Sequence, residues 1–200
     1  MELLIVVAIS VTLSTIAVWN YTTVANYLRI SGDLRSLNGV VAQAKMNAAS
    51  GFTQGRAYAD LAKNTYHLEI WNKAGNGGAG CWQTVGDTAN ACTAATSPVQ
   101  ALSQGDVFGF DQVTSPPPNT QAAIAQAAQC NDQNGAAIAN TACIVFNSRG
   151  IPIKNNVPDG SGAFYLNNGN AVFGLTAGLS GFVATWTAPD LASGATWVHP

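Results

Sequence analysis

Met1-Glu2-Leu3-Leu4-Ile5-Val6-Val7-Ala8-Ile9 begins the chain with one acid and a run of apolar side chains, and no charge follows Glu2 until Arg29. The 26 residues from Leu3 through Leu28 would make a helix about 39 Å long at 1.5 Å per residue, enough to cross a bilayer. Ser10, Thr12, Ser14 and Thr15 dilute the middle of the run. Trp19, Tyr21 and Tyr27 stand where aromatic side chains meet a membrane–water boundary. A secretory signal peptide is not expected, because the run has neither a basic segment before it nor a small-residue cleavage site after it. An ordinary transmembrane anchor is the nearer competitor, and the acid at the head of the run argues against it.

The helical pattern continues beyond the apolar run. Ile30, Leu34, Leu37, Val41, Ala44 and Ala48 recur at intervals of three and four, the spacing of one helix face, while Arg29, Asp33, Arg35, Gln43 and Asn47 take the other faces. Gly51 stands where a C-terminal cap belongs. The reading is one helix of about 50 residues, apolar all round in its first half and amphipathic in its second. Residues 1–51 form this stem, and the amphipathic half packs on a head formed by 52–200.

In the head the period changes to that of strands. Tyr66–Trp71 alternates, the region Val107–Phe110 alternates, and Cys143-Ile144-Val145-Phe146 is a short apolar run closed by the turn signal Asn147-Ser148-Arg149-Gly150. Ala163–Leu166, Ala171–Leu175 and Phe182–Trp186 follow at close spacing, which predicts an antiparallel sheet with tight turns. Two looser stretches interrupt the strands. Residues 74–105 are rich in Gly, Asn and Thr, and 115–142 open with Ser115-Pro116-Pro117-Pro118, after which Thr120–Gln129 is expected to be a short surface helix. A long helix followed by strands gives an α+β class, the stem covering one face of an antiparallel sheet.

Composition narrows the function classes. Charged residues make up 9% of the chain, against about 25% in average soluble proteins, so Gly, Asn, Ser, Thr, Gln and Ala supply the surface. That suits an extracellular surface or a wall of neighbouring subunits. The formal net charge is −2 and Lys plus Arg number eight, too few for a broad phosphate-binding face. The four cysteines, Cys81, Cys92, Cys130 and Cys143, contain no C-x-x-C pair and have only two histidines to help them, which disfavours structural zinc. Two disulfides in an oxidising compartment fit better, although four buried thiols remain an alternative. Of the three connectivities, Cys81–Cys92 and Cys130–Cys143 are favoured because each closes a local loop.

No catalytic constellation emerges. His67 lies inside a strand pattern, and His199 is the penultimate residue. Gly178-Leu179-Ser180-Gly181 lacks the G-x-S-x-G spacing, and Gly75-Asn76-Gly77-Gly78 is not followed by Gly-Lys-Ser/Thr. Asp106 and Asp111 flank an apolar strand without a recognisable cleft, and no run of alternating Asp/Asn ligands suggests calcium. The expectation is a non-enzyme without cofactor or metal.

Glu2-Leu3-Leu4-Ile5-Val6-Val7-Ala8-Ile9 resembles the class III signal core of type IV pilins and type II secretion pseudopilins. In that family a prepilin peptidase cuts after a glycine, and the mature, N-methylated chain begins Phe-Thr-Leu-(Ile/Met/Val)-Glu. The resemblance places Met1 at the fourth mature position and Glu2 at the acidic fifth, and expects Gly-Phe-Thr-Leu just upstream in the gene. It implies a filament subunit, held in the inner membrane before assembly and in an extracellular or periplasmic fibre afterwards. Its partners would be further copies or other pilins, the peptidase and the assembly machinery.

Glu2, Leu3, Leu4, Ile5, Val6, Val7 and Ile9 would then carry filament assembly. Glu2 would pair with the N-terminal ammonium of the adjacent subunit and set axial register, since a carboxylate in hydrocarbon needs a partner. Many pilins carry a proline near the position of Trp19. Here Ser, Thr and β-branched residues crowd positions 10 to 24 instead, and part of that stretch is expected to loosen inside a fibre. The head is similar to GspH/FimT-type minor pseudopilins over Cys143-Ile144-Val145-Phe146-Asn147-Ser148-Arg149-Gly150-Ile151-Pro152 and Gly181-Phe182-Val183-Ala184-Thr185-Trp186. Some members of that group bind DNA through basic residues near the C-terminus. This chain has no Lys or Arg from 155 to 200, so DNA is not an expected partner. The competing reading is a membrane-anchored exported binding module, or a minor pilin of a DNA-uptake machine.

Overall fold

Helix α1 (Glu2–Ser50) is the only α-helix among the described residues of the computed structural model. Those residues are 2–86, 92, 99–189, 191 and 195–199; within the first twenty, only the side chain of Val7 is described. From Ile30 onward one face of α1 is buried at the intervals its sequence predicts: Ile30, Leu34, Leu37, Val40, Val41, Ala44 and Ala48. Each fully buried Ile, Leu or Val stabilises the seam by roughly 1.5–3 kcal/mol relative to exposure.

The helix ends in a Schellman motif whose left-handed residue is not the expected glycine. Thr53 N–H donates to Ala48 O and Phe52 N–H to Ala49 O, and Phe52 itself has φ 48°. Gly51 is the residue before it. The helix ends at the glycine the sequence points to, but the left-handed position that favours glycine falls one residue later, on an exposed phenylalanine.

Among the described residues eleven strands follow: β1 (Gly55–Asp60), β2 (Thr65–Asn72), β3 (Cys81–Thr84), β4 (Gln100–Ala101), β5 (Val107–Phe108), β6 (Thr141–Phe146), β7 (Pro152–Lys154), β8 (Val157–Pro158), β9 (Gly162–Asn167), β10 (Val172–Ala177) and β11 (Val183–Ala188). They form two antiparallel sheets rather than one. The first has the order β3-β2-β1-β6-β7-β8 with β4 also on β2, and the second the order β11-β10-β9-β5. The class is therefore α+β, a long helix packed on antiparallel sheet.

Strand β1 explains how the stem comes so close. Its stem-facing residues are Gly55, Ala57 and Ala59, opposite Ile70, Leu68 and Tyr66 of β2. A Cβ built on Gly55 would overlap the carbonyl oxygen of Ala44, so helix and strand backbones touch there. These small residues carry no hydrophobic alternation, and for that reason β1 left no strand signal in the sequence.

The second sheet buries both faces. Phe164, Leu166, Phe173 and Leu175 join the stem and the first sheet in one core, and Tyr27 lies against Phe173 at 5.2 Å between centroids. Ala163, Tyr165, Val172, Trp186 and Trp197 form a smaller core on the opposite face, closed by Val113 and Phe110.

Thr120–Gln129 is not a helix. Gln126 spends its side-chain amide on the backbone N–H and C=O of Tyr165, and Gln121 accepts from the Tyr165 hydroxyl. Ala127 N–H donates to Ala163 O of β9, while Cys143 N–H of β6 donates to Ala128 O. The segment thus lies extended between the two sheets and satisfies backbone groups of both, a demand that outweighs the helix propensity of its Ala and Gln. Disulfides join Cys81 to Cys92 and Cys130 to Cys143, the latter fastening the end of this connecting segment to β6.

Candidate functional site

The stem changes character where the head begins. Tyr21, Val24 and Leu28 are 75%, 57% and 63% exposed, whereas Ile30 is fully buried. At about 100° per residue, Tyr21 and Leu28 point some 160–180° away from Ile30, and Val24 about 120° away. Apolar side chains on the far side of the helix cannot be satisfied by the head of the same chain. Val7, farther along, is 51% exposed. The side chains of Glu2, Leu3, Leu4, Ile5, Val6 and Ile9 lie outside the described residues. Among the described residues no helix is long and apolar enough to cross a membrane; from Glu2 to Asn20 the only side chain described is that of Val7.

A polar clasp fixes the angle between stem and head. Asp33 accepts the Ser103 backbone N–H at 2.7 Å and the Ser103 hydroxyl at 3.0 Å, and Arg29 reaches Asp106 at 3.4 Å. Asp106 is buried, and its Oδ2 has no donor among the described residues. Its neighbour is the Asp33 carboxylate, to which it can hydrogen-bond only when one of the two carries a proton. Burial and that acidic neighbour push Asp106 up to about 6, against the opposing pull of Arg29. At the other end of the seam Lys45 Nζ donates to Gly181 O at 2.9 Å.

The opposite face of the first sheet holds a second polar arrangement. Arg56 on β1 and Glu69 on β2 are directly opposed, both buried, and Arg56 Nε donates to Glu69 Oε2. His67 Nε2 lies 3.1 Å from Glu69 Oε1, and the Tyr58 ring stacks on His67 at 4.6 Å. His67 is thus buried in a structural network. Although burial works to raise Glu69, the His67 hydrogen bond and the Arg56 charge outweigh it and hold the carboxyl below its usual range. Burial lowers Arg56. The guanidinium also lies 4.0 Å over the Trp82 ring, and its Nη1 donates to Asn131 O at 2.6 Å.

Above this floor is a cleft of about 670 Å³, walled by Trp71 and Trp82, by the loop around Asn131 and by the β7–β8 hairpin. No sequence expectation pointed to it. The available signal was Trp71 and Trp82 on the same side of two alternating segments, but the register that pairs them needs β3 to be recognised as a strand.

His199, the other histidine, packs on Trp186 at 3.7 Å between ring centroids. Among the described residues, no cluster of three or more His, Cys, Asp or Glu is arranged to hold a metal ion. Comparison with family models, with curated proteins and with solved structures gives no match for this chain.

Proposed function

We propose that this chain is a structural subunit of a type IV pilin-like filament, assembled through its N-terminal helix, with no catalytic role. The observation that carries the reading is the apolar surface of Tyr21, Val24 and Leu28, turned away from the head and continuous in sequence with the run from Leu3. An exposed apolar stripe of that kind costs free energy in an isolated chain and gains it against the stems of neighbouring copies. Before assembly the same stripe lies in the inner membrane. Afterwards it lies in the core of an extracellular or periplasmic fibre, where Glu2 pairs with the N-terminal ammonium of the next subunit. The low surface charge and two disulfides suit a head that leaves the cytoplasm and packs among copies of itself.

The test is to shear cells expressing the chain and look for it in fibres, beside the variants Glu2→Ala and Leu28→Glu. Leu28 is exposed, so its variant should fold as the parent does, with the same near-ultraviolet circular dichroism, yet fail to polymerise. Recovery of the parent only as a detergent-soluble monomer would favour the membrane-anchored binding module. Filaments of ordinary number from both variants would sink the assembly reading.

A further inference from the structure

The cleft on the outer face of the first sheet lies on the side of β1 and β2 away from the stem. Its floor and walls are fixed before any ligand arrives. Trp71 and Trp82 face each other across β2 and β3, edge to face at 5.2 Å between centroids, and both are half-buried. Gly80, with φ 83°, lets the backbone lie flat against the Trp71 indole, because a Cβ there would fall 2.6 Å from Trp71 Cζ2. Trp82 is backed by Arg56, which Glu69 and Asn131 hold in place.

The rim is set as firmly. Cys130 is bonded to Cys143 beneath the Asn131 loop. Asn155 and Asn156 form the two-residue turn of the β7–β8 hairpin, with φ 51° and 65°, the mirror-image turn that usually takes glycine at its second position. Keeping an asparagine there retains an amide at the rim, and Gln54 Nε2 donates to Asn156 Oδ1 at 3.0 Å.

The chemistry of the lining selects among ligands. A wholly apolar ligand would strip water from the amides of Gln54, Gln129, Asn131 and Asn156 without replacing it. An anion would meet no surplus of positive charge: Arg56 is neutralised by Glu69, and Lys154 shares the rim with Asp132 and Asp159. A neutral ring with one apolar face and hydroxyls around its edge satisfies both constraints. Its C–H face lies on the indole, and its hydroxyls pair with the planar amides, each of which offers a donor and an acceptor. A cleft of about 670 Å³ is in the range of ordinary small-ligand sites, about 300–1,000 Å³, and takes a short chain of sugar rings.

We propose that this cleft is a binding site for a neutral oligosaccharide, packed against the Trp71–Trp82 pair and oriented by Asn131 and Asn156. The site is carried by the head and does not depend on how the stem assembles.

The experiment uses the full chain, solubilised in a polyoxyethylene detergent because maltoside and glucoside detergents would themselves compete. Labelled protein is applied to an array of neutral and acidic glycans. Saturation-transfer NMR and tryptophan fluorescence then follow the array hits, with chitotriose, cellotriose, maltotriose and sialyllactose as fixed probes. The expected result is saturable binding of a neutral glycan with a change in indole emission. Asn156→Gly keeps the hairpin, since glycine suits the turn, and should weaken that binding about two- to tenfold, the range of one lost hydrogen bond. Trp71→Ala should weaken it more than tenfold. Binding of acidic glycans alone, no binding to any array member or probe, or equal binding by the parent and Asn156→Gly would each overturn the assignment.

Discussion

Asp106 offers the most quantitative test of how the head is held to the stem. Its carboxyl is raised from 3.8 to about 6, because it is buried beside Asp33 and receives only Arg29 in compensation. A raised carboxyl binds its proton more tightly in the folded state than in the unfolded chain. Between pH 4 and 6 the folded protein therefore carries more protons, and stability falls as pH rises through that window. The contribution is fully present below about pH 4 and lost above about pH 6. A shift of about two units corresponds to about 3 kcal/mol at 1.36 kcal/mol per unit. Arg29 is 38% exposed and water reaches the edge of the clasp, so solvent screening reduces the expected effect to about 1–1.5 kcal/mol.

The perturbation is Asp106→Asn. The amide has the shape of the protonated acid, can donate to Asp33 and still accepts from Arg29. The variant should therefore match the parent at about pH 4 and exceed it by about 1 kcal/mol at pH 7.5. The assay is urea unfolding of the full chain in nonionic micelles, followed by tryptophan emission at four values of pH between those limits. The difference between the two proteins is the quantity of interest. Carboxyls outside the clasp affect both equally, including Glu69, whose depressed titration contributes stability that is lost as pH falls. A difference that stays constant with pH, or a variant weaker than the parent at pH 7.5, would refute the shared-proton account of the clasp.

Phe52→Gly should raise stability by about 1 kcal/mol, read as a higher urea midpoint at unchanged slope, because Phe52 is 78% exposed and holds a left-handed conformation that favours glycine. Gly55→Ala should cost about 1–3 kcal/mol, since the added methyl meets the Ala44 backbone rather than a side chain able to move aside. Glu69→Leu should cost about 3–5 kcal/mol by leaving the Arg56 guanidinium buried without its counter-charge, with the loss read in the same unfolding assay. A density map of the assembled fibre should show interrupted helix somewhere between residues 10 and 24, whereas unbroken helix through that stretch would reject the loosening expected from its Ser, Thr and β-branched content.

The helix and its buried face were legible because both rest on local periodicity. Ile30, Leu34, Leu37, Val41, Ala44 and Ala48 are spaced for one face, and all six are buried. Strands β2 and β5 were legible from alternation, and β6, β9, β10 and β11 from short apolar segments between turns. Strands β1, β3, β7 and β8 were not, each on different grounds. In β1 the apolar positions are Gly and Ala, chosen by the closeness of the helix. Strand β3 is four residues long, and β7 and β8 hold only a hairpin whose turn is Asn155-Asn156 rather than Asn-Gly. The misassigned helix at Thr120–Gln129 shows propensity losing to distant partners, since Tyr165, Ala163 and Cys143 all take backbone or amide bonds from it.

The cleft shows why a site can be absent from sequence reasoning even when every contributing residue is in plain view. Arg56 falls outside every strand the sequence predicts, whereas His67 and Glu69 fall inside one, so nothing local joins the three. Pairing β1 with β2 in register brings Arg56 opposite Glu69, and the next pair brings Tyr58 opposite His67. Pairing β2 with β3 then sets Trp71 against Trp82 over the same face. A slip of one residue in either pairing would turn half of these side chains toward the stem, where Ala57, Ala59 and Gly55 leave them no room. The close seam between helix and sheet therefore does more than bury the stem. By admitting only small residues on one face of β1, it forces the bulky and polar residues of that strand onto the other, and that exclusion builds the cleft.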